Sequence, residues 1–152
     1  MWESQVAGVL VYDPQTRRVL LGEERDGWGP FAGRRERGDA DAIATALREV
    51  KEESCDALRP TRAQFDAAHR GTLMSRTPRG LTCALFVLVP WWSTRDADPV
   101  PMHAERLVKE TRAVYMEKRR LNWFHPESAL RFRAQFGADL ARLRPLLRAV
   151  VR

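Results

Sequence analysis

The sequence predicts a single mixed α/β domain, and three observations carry that expectation. Its 152 residues suit one compact unit with a sizeable core. A Val-rich, partly alternating stretch near the start and strand-like segments in the middle of the chain read as strands. Between them, residues 39 to 53 combine helix-favouring Ala, Leu, Arg and Glu with an apolar stripe of helical period. No internal repeat, low-complexity segment or linker suggests a second domain.

Ser4 to Asp13 (SQVAGVLVYD) is the first predicted strand. Pro14 to Arg17 turns the chain after Asp13, and Arg18 to Gly22 (RVLLG) completes a hairpin. Glu23 to Arg37 is read as loop, punctuated by Asp26-Gly27-Trp28-Gly29-Pro30 and by Gly33. The helix is expected from Asp39, a suitable N-cap, to Glu53. Ile43, Ala46, Leu47 and Val50 form its core-facing stripe. Strands follow near Ala67 to Ser75 and Leu81 to Val89, separated by the Thr77-Pro78-Arg79-Gly80 turn. Ser93 to Pro101 is polar and Pro-containing, hence loop, and His103 to Glu117 has no decisive periodicity. Leu121 to Phe124 (LNWF) reads as a short strand, and Pro126 to Val151 as mostly helical with breaks near Gly137 and Pro145.

Composition narrows the function classes. The longest apolar run, Leu81 to Trp92, is interrupted by Thr82 and Pro90 and is too short to span a bilayer, so no membrane partner is expected. Met1-Trp2-Glu3 does not open a signal peptide, and a cytoplasmic location is expected. Cys55 and Cys83 form neither a disulfide framework nor a zinc-like spacing, and both suit small half-buried positions. The net charge of +6 attracts polyanions such as nucleotides, RNA and inositol phosphates. The arginines are scattered, however, and a GC-rich coding sequence would inflate Arg and Ala equally.

The chemistry concentrates in Arg48-Glu49-Val50-Lys51-Glu52-Glu53. On a helix, Glu49, Glu52 and Glu53 stand at i, i+3 and i+4, so three carboxylates share a face beside the apolar stripe. Like charges at this spacing repel. Either water solvates them, as on many Glu-rich helices, or a cation compensates them. Mg²⁺ and Mn²⁺ prefer such clustered oxygen ligands.

The preceding segment bears on that choice. Gly33 to Cys55 (GRRERGDADAIATALREVKEESC) resembles the Nudix box, G-x5-E-x7-R-E-U-x-E-E-x-G-U with U aliphatic. Gly33 matches the first glycine, and Arg48-Glu49-Val50-x-Glu52-Glu53 matches the central core without substitution. Glu36 and Gly38 also fall where relatives carry the same types. Trp28 to Gly33 looks like the family's approach to the box, and Leu121 to Phe124 with Pro126 to Leu130 resembles its late strand and short helix. Four features depart from the pattern. Asp39 stands for the glutamate, eight residues rather than seven separate it from Arg48, and Ala32 stands where a second glycine is common. Cys55 and Asp56 replace the closing Gly-aliphatic pair. A glycine there ends the helix in a left-handed conformation that costs a residue with a β-carbon about 1 kcal/mol.

The resemblance implies a Nudix-type α/β/α sandwich around a mixed β-sheet, and a hydrolase of nucleoside diphosphate derivatives. Glu49, Glu52 and Glu53, with the Gly33 carbonyl, would bind Mg²⁺ or, in its place, Mn²⁺. Glu52 or Glu53 would serve as general base, and Arg48 would orient the carboxylates. Glu117, six residues before Trp123, would be a distal ligand or base, with Glu105 and Glu110 as competitors. Arg34 and Arg35 are candidates for substrate phosphates; Trp28, Phe31, Trp91, Trp92 and Tyr115 are candidates for stacking on a base. The expected partner is an anionic nucleotide-like small molecule, with RNA as a second class. The alternative is a catalytically silent Nudix-fold module that binds nucleotide or RNA.

Overall fold

The structure is a computed structural model that describes residues 4–92, 98–126 and 147–148. Eight-residue β1 (Val6–Asp13) is followed by β2 (Arg18–Glu24), β3 (Gly27–Gly29) and β4 (Phe31–Arg34). Helices α1 (Ala42–Glu53) and α2 (Arg62–Ala68) then lead into β5 (His69–Arg76) and β6 (Thr82–Leu88). Helix α3 (Pro99–Lys109), a 3-10 turn at Ala113–Tyr115 and β7 (Arg120–Phe124) complete the described elements.

The strands form one mixed sheet in the order β3-β2-β1-β6-β5, with β4 also paired to β1 and β7 to β2. β1 and β6 run parallel, and every other pair is antiparallel. One edge of β1 changes partner midway. Val11, Tyr12 and Asp13 pair with β2, whereas Val6 to Val9 pair with β4. The sheet therefore forks between β2 and β4.

Alternation along β1 sorts its side chains onto two faces. Ala7, Val9 and Val11 join Leu20 and Phe31 beneath Ala42, Ala46 and Val50 of α1 and Phe65 of α2. Leu10 and Tyr12 face the other way, with Val19, Leu21, Leu85, Val87 and Leu147. Ile43 and Leu47 pack at the margin of the first cluster, as their spacing predicts.

The boundaries differ from expectation at four places. First, Glu23 to Arg37 is not all loop. β2 extends to Glu24, and β3 and β4 form because β2 and β1 offer free edges, which their short Gly-rich sequences do not announce. Second, α1 is capped by Asp41, whose carboxylate accepts the Ala44 N–H at 2.8 Å, rather than by Asp39. Third, the segment before His69 is helical. Thr61 and Gln64 make a reciprocal capping box at the start of α2, a signal present in the sequence. Fourth, Pro99–Pro101 belongs to α3, where proline fits the first turn because its missing N–H has no helical partner anyway. Residues 93–97 and the predicted helical region from 127 onward, apart from 147–148, lie outside the described residues.

The end of α1 has the strained geometry its sequence foretells. Cys55 and Asp56 are left-handed, at φ 53° and 62°. The Cys55 N–H donates to the Glu52 carbonyl and the Asp56 N–H to the Lys51 carbonyl, which caps the helix in a Schellman arrangement without glycine. Both cysteines are free and buried.

Candidate active site

Helix α1 lies across β1 and β4, and the register turns its carboxylates toward the mouth of the fork. An open cleft of about 640 Å³ is bounded there by Glu24, Arg25 and Asp26 after β2 and by Ala32, Gly33, Arg34 and Glu36 around β4. Glu49, Glu52 and Glu53 of α1, with Val114 and Glu117, close the remaining sides.

Burial differs among the three helix glutamates. Glu53 is 2% exposed, and the Ala32 N–H donates to its Oε1 at 2.6 Å. Burial pushes its carboxyl well above the usual range, partly countered by Lys118. Glu49 is also buried, and desolvation raises it to about 7 despite the neighbouring Arg48. Glu52 stands half-buried at the rim and is raised in the same direction by desolvation. Gly33 sits so close to the Glu49 carboxylate that a β-carbon would collide with it.

Arg48 organises this face. Its Nη1 donates to Glu49 Oε1 at 2.9 Å and reaches Glu52 Oε2 at 3.5 Å. Its Nη2 donates to the Arg34 carbonyl at 2.8 Å and to Asp39 Oδ2 at 2.9 Å. Asp39 is accordingly buried and held down to about 2, chiefly by this hydrogen bond.

One close carboxylate group brings together three separate parts of the chain. One ligand oxygen from each of Glu24, Glu53 and Glu117 lies within 4.8 Å of the others. Glu117 thus joins the site, whereas Glu105 points outward from α3 and Glu110 is engaged by Arg112 and Cys55. Glu24 carries no motif signal and was missed by sequence reasoning; only its position at the end of β2 brings it to Glu53.

The aromatic expectations fare differently. Phe31 is wholly buried in the main core and offers no face to a ligand, because β4 lies flat against β1 beneath α1. Trp28 packs edge-on against Phe124 with centroids 4.7 Å apart, and Arg120 stacks over it. Trp91 and Trp92 pack edge-on against each other at the core margin, and Tyr115 lies under Arg112. None of these five lines the carboxylate cleft. Arg34 does, and Arg35 is exposed beyond it.

A mixed sheet forks beside an acidic helix, and a carboxylate cluster with Glu53 buried at its centre stands at the fork of this α/β frame. The NUDIX domain family matches residues 3–143, and the chain belongs to the Nudix hydrolase family. No curated protein sequence matches it. Among solved structures, it is similar to a C. elegans Ap4A hydrolase in a binary complex, with 21% identity and TM-score 0.55 over 95% of this chain and 94% of that one. It is also similar to RenU, a Nudix hydrolase from M. smegmatis, with 16% identity and TM-score 0.56 over 99% and 90%. A Francisella tularensis bifunctional NMN adenylyltransferase/ADP ribose pyrophosphatase, complexed with AMP and a Mn ion, matches at 15% identity and TM-score 0.54. That match covers 95% of this chain but only 36% of the larger protein. At these identities the likeness is one of fold.

Proposed function

We propose that the protein is a divalent-metal-dependent hydrolase that cleaves the diphosphate linkage of nucleoside diphosphate derivatives by attack of water at phosphorus. The observation that carries this reading is the convergence of Glu24, Glu53 and Glu117 in an open cleft whose size suits a nucleotide-like ligand. Names such as Ap4A hydrolase and ADP ribose pyrophosphatase among the similar folds support the same substrate class.

The residues fit a hard divalent cation. The oxygens of Glu24, Glu53 and Glu117 are close enough to share one ion, and burial makes Glu49 and Glu53 hold protons more tightly than ordinary carboxylates, so a bound cation relieves an evident cost. Glu53, Glu49 and Glu52 would hold Mg²⁺ or Mn²⁺ together with Glu24 and Glu117, and with the Gly33 carbonyl at the edge. Such an ion supplies charge neutralisation of the diphosphate and a lowered pKa for bound water.

The chain's own side chains divide the remaining work. Arg48 fixes Glu49 and Glu52 from behind, while Asp39 holds the guanidinium in its own plane. Glu53 accepts the Ala32 N–H and is sealed from solvent, which suits binding. Glu52 and Glu117 retain solvent-facing surface, so they are the carboxylates positioned to take a proton from attacking water. Arg34, on the cleft wall, is disposed to receive substrate phosphate oxygens.

The test is product analysis on a panel of nucleoside triphosphates, sugar nucleotides, dinucleoside polyphosphates, diphosphoinositol phosphates and capped RNA. Each is incubated with Mg²⁺ or Mn²⁺, with and without EDTA, using wild type and Glu53→Gln. Turnover that needs metal and falls about a thousandfold in the variant supports the reading. Binding of nucleotide without turnover of any substrate overturns it in favour of a silent module.

A further inference from the structure

We propose that Lys118 is the resident counter-ion of the carboxylate cluster, a buried ammonium set against Glu24 that offsets the negative charge gathered there and tempers the cluster's affinity for a divalent cation. The proposal rests on the reading of those carboxylates as the metal cluster.

Lys118 has no exposed surface, which is rare for lysine unless it is paired. Its stem occupies the space left by Gly22, where an added β-carbon would stand 2.6 Å from the lysine Cδ and 2.9 Å from its Cγ. Enclosed in this way, the side chain has no route by which to carry its charge to water. The ammonium lies 3.3 Å from Glu24 Oε1 and donates to the Pro30 carbonyl at 3.3 Å. Its charge also acts on buried Glu53, which belongs to the same tight group as Glu24 and Glu117.

Two consequences follow from placing a fixed cation there. Without metal, it offsets repulsion among carboxylates crowded around the buried Glu53, which are otherwise costly to bring together. With metal, it repels the incoming ion and keeps binding weak enough to exchange.

The experiment compares wild type, Lys118→Met and the double variant Lys118→Met/Glu24→Gln, at pH 8, by thermal unfolding without metal and with Mn²⁺ and by calorimetric titration with Mn²⁺ alone. Lys118→Met should melt lower than wild type without metal, gain more from Mn²⁺ and bind Mn²⁺ about tenfold more tightly. The double variant should melt above the single one without metal, since the uncompensated charge is gone. Unchanged Mn²⁺ affinity in Lys118→Met, or a double variant no more stable than the single, overturns the proposal. If the single variant does not fold, a folded double variant supports it and an unfolded one overturns it. Wild type that binds no Mn²⁺ would instead sink the metal-cluster reading, while the metal-free comparison still decides the role of Lys118 as counter-ion.

Discussion

Arg48 grips Asp39 with two hydrogen bonds, Nη2 to Oδ2 at 2.9 Å and Nε to Oδ1 at 3.2 Å, across the one place where the box is a residue too long. The extra residue is absorbed before the helix. Asp39 leaves the cap to Asp41, accepts the Glu36 N–H and the Thr45 hydroxyl, and turns inward to the guanidinium. The arginine is thereby held against Glu49 and Glu52, with Asp39 in place of the family's glutamate.

This pair predicts a pH dependence with a definite sign. Asp39 titrates at about 2 in the folded protein against 3.8 when unfolded, so its contribution is fully present above about pH 4 and is lost as pH falls toward 2. Replacing it by Asn should cost about 2 kcal/mol near neutrality. Denaturant unfolding of wild type and Asp39→Asn should show that gap closing between pH 4 and 2; a gap constant with pH would remove the assignment.

Glu117 should matter where Glu105 does not. Glu117→Gln is expected to reduce kcat about a hundredfold on whichever diphosphate is turned over, with melting temperature nearly unchanged. Glu105→Gln, on the outer side of α3, should leave kinetics as they are. Steady-state rates at saturating metal decide between them.

The departures at the end of the box build a clasp. Asp56 Oδ2 accepts from Arg112 Nη2 at 3.1 Å, and the same guanidinium holds Glu110 and stacks over Tyr115 at 3.6 Å. The segment leading to Glu117 is tied in this way to the C-terminus of α1. Arg112→Ala should lower kcat several-fold through a loosened Glu117, while the half-exposed guanidinium contributes little to stability. A melting temperature that falls sharply with kcat intact would contradict this role.

Gly33→Ala is expected to disable the cleft by sterics alone. The new methyl group would occupy the position of the Glu49 carboxylate, so Mn²⁺ affinity and turnover should both fall, turnover about a hundredfold. Calorimetric titration that returned the wild-type affinity would show that Glu49 can move aside without consequence.

Much of the frame was legible in residue order. The apolar period of α1, the partial alternation of β1, the apolar run of β6, the LNWF strand and the three box glutamates are local patterns, and local patterns follow from backbone geometry. The left-handed exit at Cys55 was legible for the same reason, since the helix has to end where the box ends, whereas the second left-handed residue, Asp56, was not. What lay beyond the sequence was pairing at a distance. β4 has no strand period of its own and exists because Val6 to Val9 leave an edge to fill. Phe31 read as a ligand contact until that pairing buried it. Glu24 and Lys118 have no motif at all. Only the fork between β2 and β4 and the space under Gly22 bring one to Glu53 and seal the other beneath the cleft, because electrostatic and steric fit depend on spatial rather than sequential neighbours.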